Sequence, residues 1–164
     1  MVRAEGGRLF DAYLAGGFVS LGWATARSAV GMDRDTLRAA IATENPGMCE
    51  SLLVAGTGMV RRFAAQPELG DGVITYHPPT RRYAIGEIIS DYVFDPTFVL
   101  PLASKRHTHL RHVLWRGLLP RTGLPEAARN ALQPTISFFQ VRPEAEAMIE
   151  RAFETHAEPL PARA

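Results

Sequence analysis

The alternation of apolar and polar positions divides the chain into short strands and a few helices. Val2-Arg3-Ala4 predicts a brief first strand, broken by Gly6-Gly7. From Arg8 to Ala15, Leu9, Phe10, Tyr13 and Leu14 fall at helical spacing, and Gly16-Gly17 ends that helix. Phe18 to Trp23 reads as a strand, with Phe18, Ser20 and Gly22 on one face and Val19, Leu21 and Trp23 on the other. Asp33 is placed to cap a helix from Arg34 to Ala42, which Asn45-Pro46-Gly47 breaks. Met48 to Ala65 predicts a longer helix weakened in its middle by Gly56 and Gly58.

The second half is richer in strands. A turn at Leu69-Gly70-Asp71-Gly72 leads into a strand at Val73 to Tyr76. His77-Pro78-Pro79-Thr80-Arg81 makes a tight connection, since two prolines cannot continue a ladder. Arg82 to Ser90 returns, with Tyr83, Ile85, Glu87 and Ile89 alternating against Ala84, Gly86 and Ile88. Asp91 to Pro101 is extended and aromatic, and Leu110 to Leu118 is a strand containing Trp115. A turn and short helix occupy Thr122 to Leu132, with Pro125 near the start. Ile136 to Val141 is a last strand or extended segment. Pro143 to His156 is a helix with a Met148, Ile149, Ala152, Phe153 stripe. The sum is an α+β fold: about five short strands in a small twisted sheet or partly closed barrel, flanked by helices.

A length of 164 residues suits one domain, expected over 1–156, with 157–164 as a Pro/Ala-rich tail or linker. The lone cysteine, Cys49, excludes a disulfide within one chain and reads as a buried structural residue. No apolar run approaches 18 residues and no charged-then-apolar leader opens the chain, so a soluble cytoplasmic protein is expected.

Charge changes the picture only when it is divided by position. The 18 basic and 17 acidic residues give a net of +1, and every basic residue except Lys105 is arginine. Residues 1–95 carry −2 and residues 144–164 carry −3. Residues 96–143 carry +6, with Lys105, Arg106, Arg111, Arg116, Arg121, Arg129 and Arg142 against Glu126 alone. A local basic block is how a near-neutral chain can hold phosphate. The preference for arginine also fits a GC-rich genome.

Three motifs together resemble the EVE-like domains of the PUA-like superfamily. They are Leu69-Gly70-Asp71-Gly72-Val73-Ile74-Thr75-Tyr76-His77, Tyr83-Ala84-Ile85-Gly86-Glu87-Ile88-Ile89, and Asp91-Tyr92-Val93-Phe94-Asp95-Pro96-Thr97. Val2 to Gly7 and Phe18 to Trp23 are similar to the EVE-like domains found at the N-terminus of modification-dependent restriction endonucleases. The resemblance implies a non-catalytic reader, without cofactor or metal. It would bind a flipped, modified nucleobase in an aromatic pocket, most simply on DNA, and would serve a fused or partnered nuclease in phage defence. It places Trp23 in the pocket, with Ser20 and Thr25 as nearby hydroxyls and Tyr76, His77 and Tyr92 at the strand ends. The cationic residues Arg81, Arg82, Lys105, Arg106 and Arg111 are candidate contacts to the nucleic-acid backbone.

Two other readings stay open. One is an RNA-binding PUA-like reader. The other is a small metal-dependent hydrolase using His107, His109 and His112. The second is opposed by Arg111, which stands where an acidic residue would precede the last histidine. A nuclease centre of the "PD…ExK" kind would need a lysine where Ile89 stands, and Gly56-x-Gly58 lacks the Gly-Lys-Ser of a phosphate loop.

Overall fold

The computed structural model describes residues 1–161. Its centre is an antiparallel sheet of five strands, open and strongly curled into a half-barrel. The strands are β1 (Phe18–Leu21), β2 (Gly72–His77), β3 (Arg82–Ile88), β4 (Val93–Phe94) and β5 (His109–Pro120). β5 is the spine. β1 lies along one edge, Phe18 opposite His112, while β3 and then β4 occupy the other edge, and β2 pairs outward from β3. The fold class is the one the sequence pattern predicts.

The curl has a local cause. The β3–β5 register slips between Ile85 and Gly86, so that Ile85 faces Gly117 while Gly86 faces Trp115. Arg116 is the extra residue of this bulge, which bends and twists the strand. Gly86 permits the bend, because a β-carbon there would lie 2.6 Å from Val113 and 2.8 Å from Trp115. Arg116 turns outward to Glu150 and lies over the Phe153 ring of the last helix, which ties that helix to the sheet.

Five helices flank the sheet: α1 (Phe10–Gly16), α2 (Arg34–Glu44), α3 (Glu50–Ala65), α4 (Glu126–Ala131) and α5 (Pro143–His156). α1 ends at Gly17 in the left-handed conformation. Asp33 caps α2 by accepting from the Thr36 amide at 2.8 Å. Pro143 opens α5, where its missing N–H costs no hydrogen bond. One buried cluster joins β1, β5, α1, α2 and α3. A second joins β2, β3, α4 and α5.

Several expectations change. Val2 to Ala4 is not a strand: Val2 makes an isolated bridge with Phe138, and the expected strand at 136–141 is reduced to that bridge. Residues Glu5–Gly7 form one turn of 3-10 helix. Cys49 is exposed at the start of α3, not buried. Of the expected tail, Glu158 bridges Leu118 and pairs with Arg82, so this stretch packs on the sheet. Residues 162–164 lie outside the described residues. Among those described, no helix is long and apolar enough to cross a membrane.

Candidate nucleic-acid interface

β1 delivers Trp23 to the point where the chain leaves the sheet. The indole is 7% exposed and is held from two sides. The backbone of α3 presses against it at Gly56, where a β-carbon would stand 2.7 Å from the indole Cδ2. The Lys105 ammonium lies over the ring, 4.8 Å from its centroid. Gly56, expected only to weaken α3, is thus the seat of the tryptophan. A glycine kept inside a helix at a cost of about 1 kcal/mol signals a close approach of this kind.

Two buried hydrogen-bond chains support this corner. In the first, His107 Nε2 lies 3.0 Å from the Glu5 carboxylate and Nδ1 lies 2.7 Å from Ser20 Oγ. With Nε2–H donating to the carboxylate, Nδ1 accepts from the Ser20 hydroxyl. The Tyr13 hydroxyl donates to the Ser20 carbonyl at 2.9 Å, and burial raises the Tyr13 phenol to about 12. Burial lowers the His107 imidazole below its ordinary range against the pull of Glu5, so it stays neutral at pH 7. Burial alone would raise the Glu5 carboxyl, but the Ser104 amide and His107 outweigh it and hold the carboxyl low. Glu5 occupies the left-handed region at φ 46°. The strain is offset by what its carboxylate gathers: His107, Arg8 and the Ser104 amide.

The second chain lies next to the first. His109 Nε2 donates to the Trp23 carbonyl at 2.9 Å, which leaves Nδ1 to accept from the Tyr92 hydroxyl at 2.6 Å. Tyr92 accepts in turn from the Ala29 amide, and Thr25 donates to the Arg27 carbonyl. Burial drives the His109 imidazole down to about 4.

Trp23, Ser20, Thr25 and Tyr92 therefore lie in one corner. Tyr76 and His77 do not join them. His77 stacks on Phe10 with ring centres 4.7 Å apart and bonds Thr80, while Tyr76 tilts onto Tyr83 in the second core. Glu5, Tyr13, His107 and His109 are members of this corner that the sequence did not reveal.

The histidine cluster does not converge. His107 and His109 are buried and His112 is exposed on the opposite face of β5, as strand alternation requires. Among the described residues no group of three acidic, histidine or cysteine side chains could hold a metal ion. Ser20, His107 and Glu5 do have the order of an acyl-transfer triad. Ser20, however, is 1% exposed and its hydroxyl is already engaged, so the chain positions its neighbours.

Within the basic block Arg111 is taken into the fold, while other cations make ion pairs at the surface. Arg111 is buried, not a backbone contact: Nε donates to the Phe63 carbonyl, Nη2 to that of Ala64 and Nη1 to that of Ser90. Arg106 pairs with Glu44, Arg116 with Glu150, and Arg82 with Glu158. Arg81 stays exposed at the β2–β3 turn. Lys105 stays exposed above Trp23.

A cavity of about 190 Å³ opens elsewhere, walled by Phe63, Ile74, Ile85, Phe138 and Ile149. Its polar lining includes Asp71, Glu146 and Glu150, and its one arginine, Arg111, is consumed by carbonyls. Of these carboxylates Glu150 pairs with Arg116, and the lining is otherwise acidic.

Residues 2–127 match the family described as a domain of unknown function (DUF8426), and the chain belongs to that family. The match covers all five strands and stops at the start of α4, leaving α5 outside it. No curated protein and no solved structure matches the chain.

Proposed function

We propose that this domain reads a modified base, in the manner of the EVE-like domains it resembles, and directs a fused or partnered nuclease to modified DNA in the cytoplasm. The observation that carries the reading is Trp23 under Lys105. Trp23 belongs to the buried core cluster, with the exposed Lys105 side chain over its ring; in this reading Lys105 swings aside so that a base can stack there. Extruding a base costs a few kcal/mol. Stacking on an aromatic face returns about 1–3 kcal/mol, and the released ammonium is free to meet a phosphate. The buried hydroxyls and imidazoles of this corner hold the Trp23 carbonyl and the strand exit in place.

The test is a set of anisotropy titrations with oligonucleotides carrying 5-methylcytosine, 5-hydroxymethylcytosine, N6-methyladenine or no modification. One modified strand is expected to bind about tenfold tighter than its unmodified counterpart, and Trp23→Ala to remove that preference. Lys105→Ala, at an exposed position, leaves the fold intact and is expected to alter affinity while keeping the preference. Equal affinity for all strands, unchanged by either substitution, overturns the reading.

A further inference from the structure

Among the described residues, the two most exposed large apolar side chains lie three positions apart on one loop. Val99 is 81% exposed and Leu102 is 77% exposed. Single exposed aliphatics are ordinary on a soluble domain. These two are unusual because the loop beneath them is tied down. Phe98, Leu100 and Ala103 pack against the core, and Phe98 meets Phe18 edge to face with ring centres 5.2 Å apart. The Ala103 amide donates to the Leu100 carbonyl, and the Ser104 amide donates to Glu5. Arg106 reaches both Glu44 and the Pro96 carbonyl. Leu102 itself has a φ of 68°, a left-handed conformation that leucine rarely adopts. The free protein thus holds a leucine in an unfavourable backbone state with its side chain exposed to water.

The position of the loop suggests what meets that side chain. Three residues after Leu102, Lys105 lies over Trp23. The charges around the loop mostly cancel locally: Arg8 pairs with Glu5, Arg106 pairs with Glu44, and Asp95 caps the Thr97 amide. Lys105 has no carboxylate partner among the described residues. The segment that carries Lys105 to the Trp23 ring therefore also presents two exposed aliphatic side chains, on a loop anchored at Phe98, Leu100 and Ala103.

We infer that the Val99–Leu102 loop is a wedge, and that the ligand is a double helix and not a single strand. The inference rests on the base-reading proposal. A base that leaves a duplex to stack at Trp23 opens a gap in the stack it came from. An apolar side chain inserted there keeps the gap from closing, and a flanking cation holds the adjacent phosphate. A single strand has no such gap, so it needs no wedge.

The experiment uses the full chain and the preferred modification in two contexts, a duplex with 2-aminopurine beside the modified base and the same strand alone. The double variant Val99→Ser/Leu102→Ser changes only exposed positions. It is expected to lose about tenfold or more in duplex affinity and to abolish the 2-aminopurine fluorescence rise. Single-strand affinity is expected to stay within about twofold. If the double variant binds and unstacks the duplex as the wild type does, the wedge is overturned while base reading stands. A wild type that binds single strands and ignores duplexes overturns it in the same way. If the wild type shows no preference for the modified strand in either context, base reading fails and the wedge falls with it.

Discussion

Arg111 Nε donates to the carbonyl oxygen of Phe63 at 3.0 Å, joining the middle of the half-barrel to the end of its longest helix. The guanidinium also reaches the Ala64 and Ser90 carbonyls. It thus occupies the C-terminus of α3, where unpaired carbonyls gather partial negative charge. Burial lowers its pKa from the ordinary value, with Asp91 and Asp71 opposing, yet it remains charged at neutral pH. An arginine that counted toward a phosphate-binding surface in the sequence is a structural cap in the fold.

Arg111→Ala is expected to destabilise the domain by about 2–4 kcal/mol, because it leaves buried carbonyls without donors. Arg111→Lys should recover only part of this, since an ammonium cannot present a planar fork to three acceptors. Urea denaturation of the three proteins checks both. A substitution that leaves stability unchanged while reducing nucleic-acid affinity would return Arg111 to the binding surface.

His109 sets a pH dependence. Its folded pKa is about 4 against an ordinary 6.5, so between these values the unfolded chain binds the proton more readily than the folded one. Stability is therefore complete above pH 6.5 and falls as pH drops toward 4, by about 3 kcal/mol at most. His107, also lowered, adds to the loss in the same direction. Denaturation measured between pH 5 and 7 avoids most carboxylate titration. His109→Gln is expected to flatten the slope there.

Much of the fold was legible because its signals are local. Asp33 and Pro143 mark helix starts, Gly17 marks a stop, and two prolines mark the hairpin turn between β2 and β3. The unread parts are contacts between residues distant in sequence. Nothing near Val2 announces Phe138 as its partner, and nothing near Glu5 announces His107. In the site, the resemblance to EVE-like domains groups Trp23, Thr25 and Tyr92, and it groups Tyr76 and His77 with them although these pack elsewhere. Sequence counts cations but not their partners: Arg82, Arg106 and Arg116 are paired with Glu158, Glu44 and Glu150.

Thr75 on β2 is fully buried, and its hydroxyl has no hydrogen-bond partner among the described residues. An unpaired buried hydroxyl costs about 1–3 kcal/mol. Thr75→Val keeps the shape and removes the polar atom. It should raise stability by about 1 kcal/mol, equivalent to about 2–4 °C in Tm for a chain of this size. A lower Tm would show that the hydroxyl has a partner in solution.

Gly56 and Gly58 provide a matched pair that separates helix propensity from the seating of Trp23. Both lie within α3. A β-carbon at Gly58 meets nothing within 4 Å, whereas at Gly56 it collides with the Trp23 ring. Gly58→Ala should stabilise α3 by about 1 kcal/mol and leave binding alone. Gly56→Ala gains the same propensity but must push the indole aside, for a net loss of about 1–3 kcal/mol. The chain has two tryptophans, and Trp115 donates its Nε1–H to the Tyr13 carbonyl at a separate place in the core. Their indole N–H resonances therefore report independently. In Gly56→Ala only the Trp23 signal should move, together with the loss of preference for modified strands. If the Trp23 signal moves and the preference survives, Trp23 is a core residue and the base is held elsewhere.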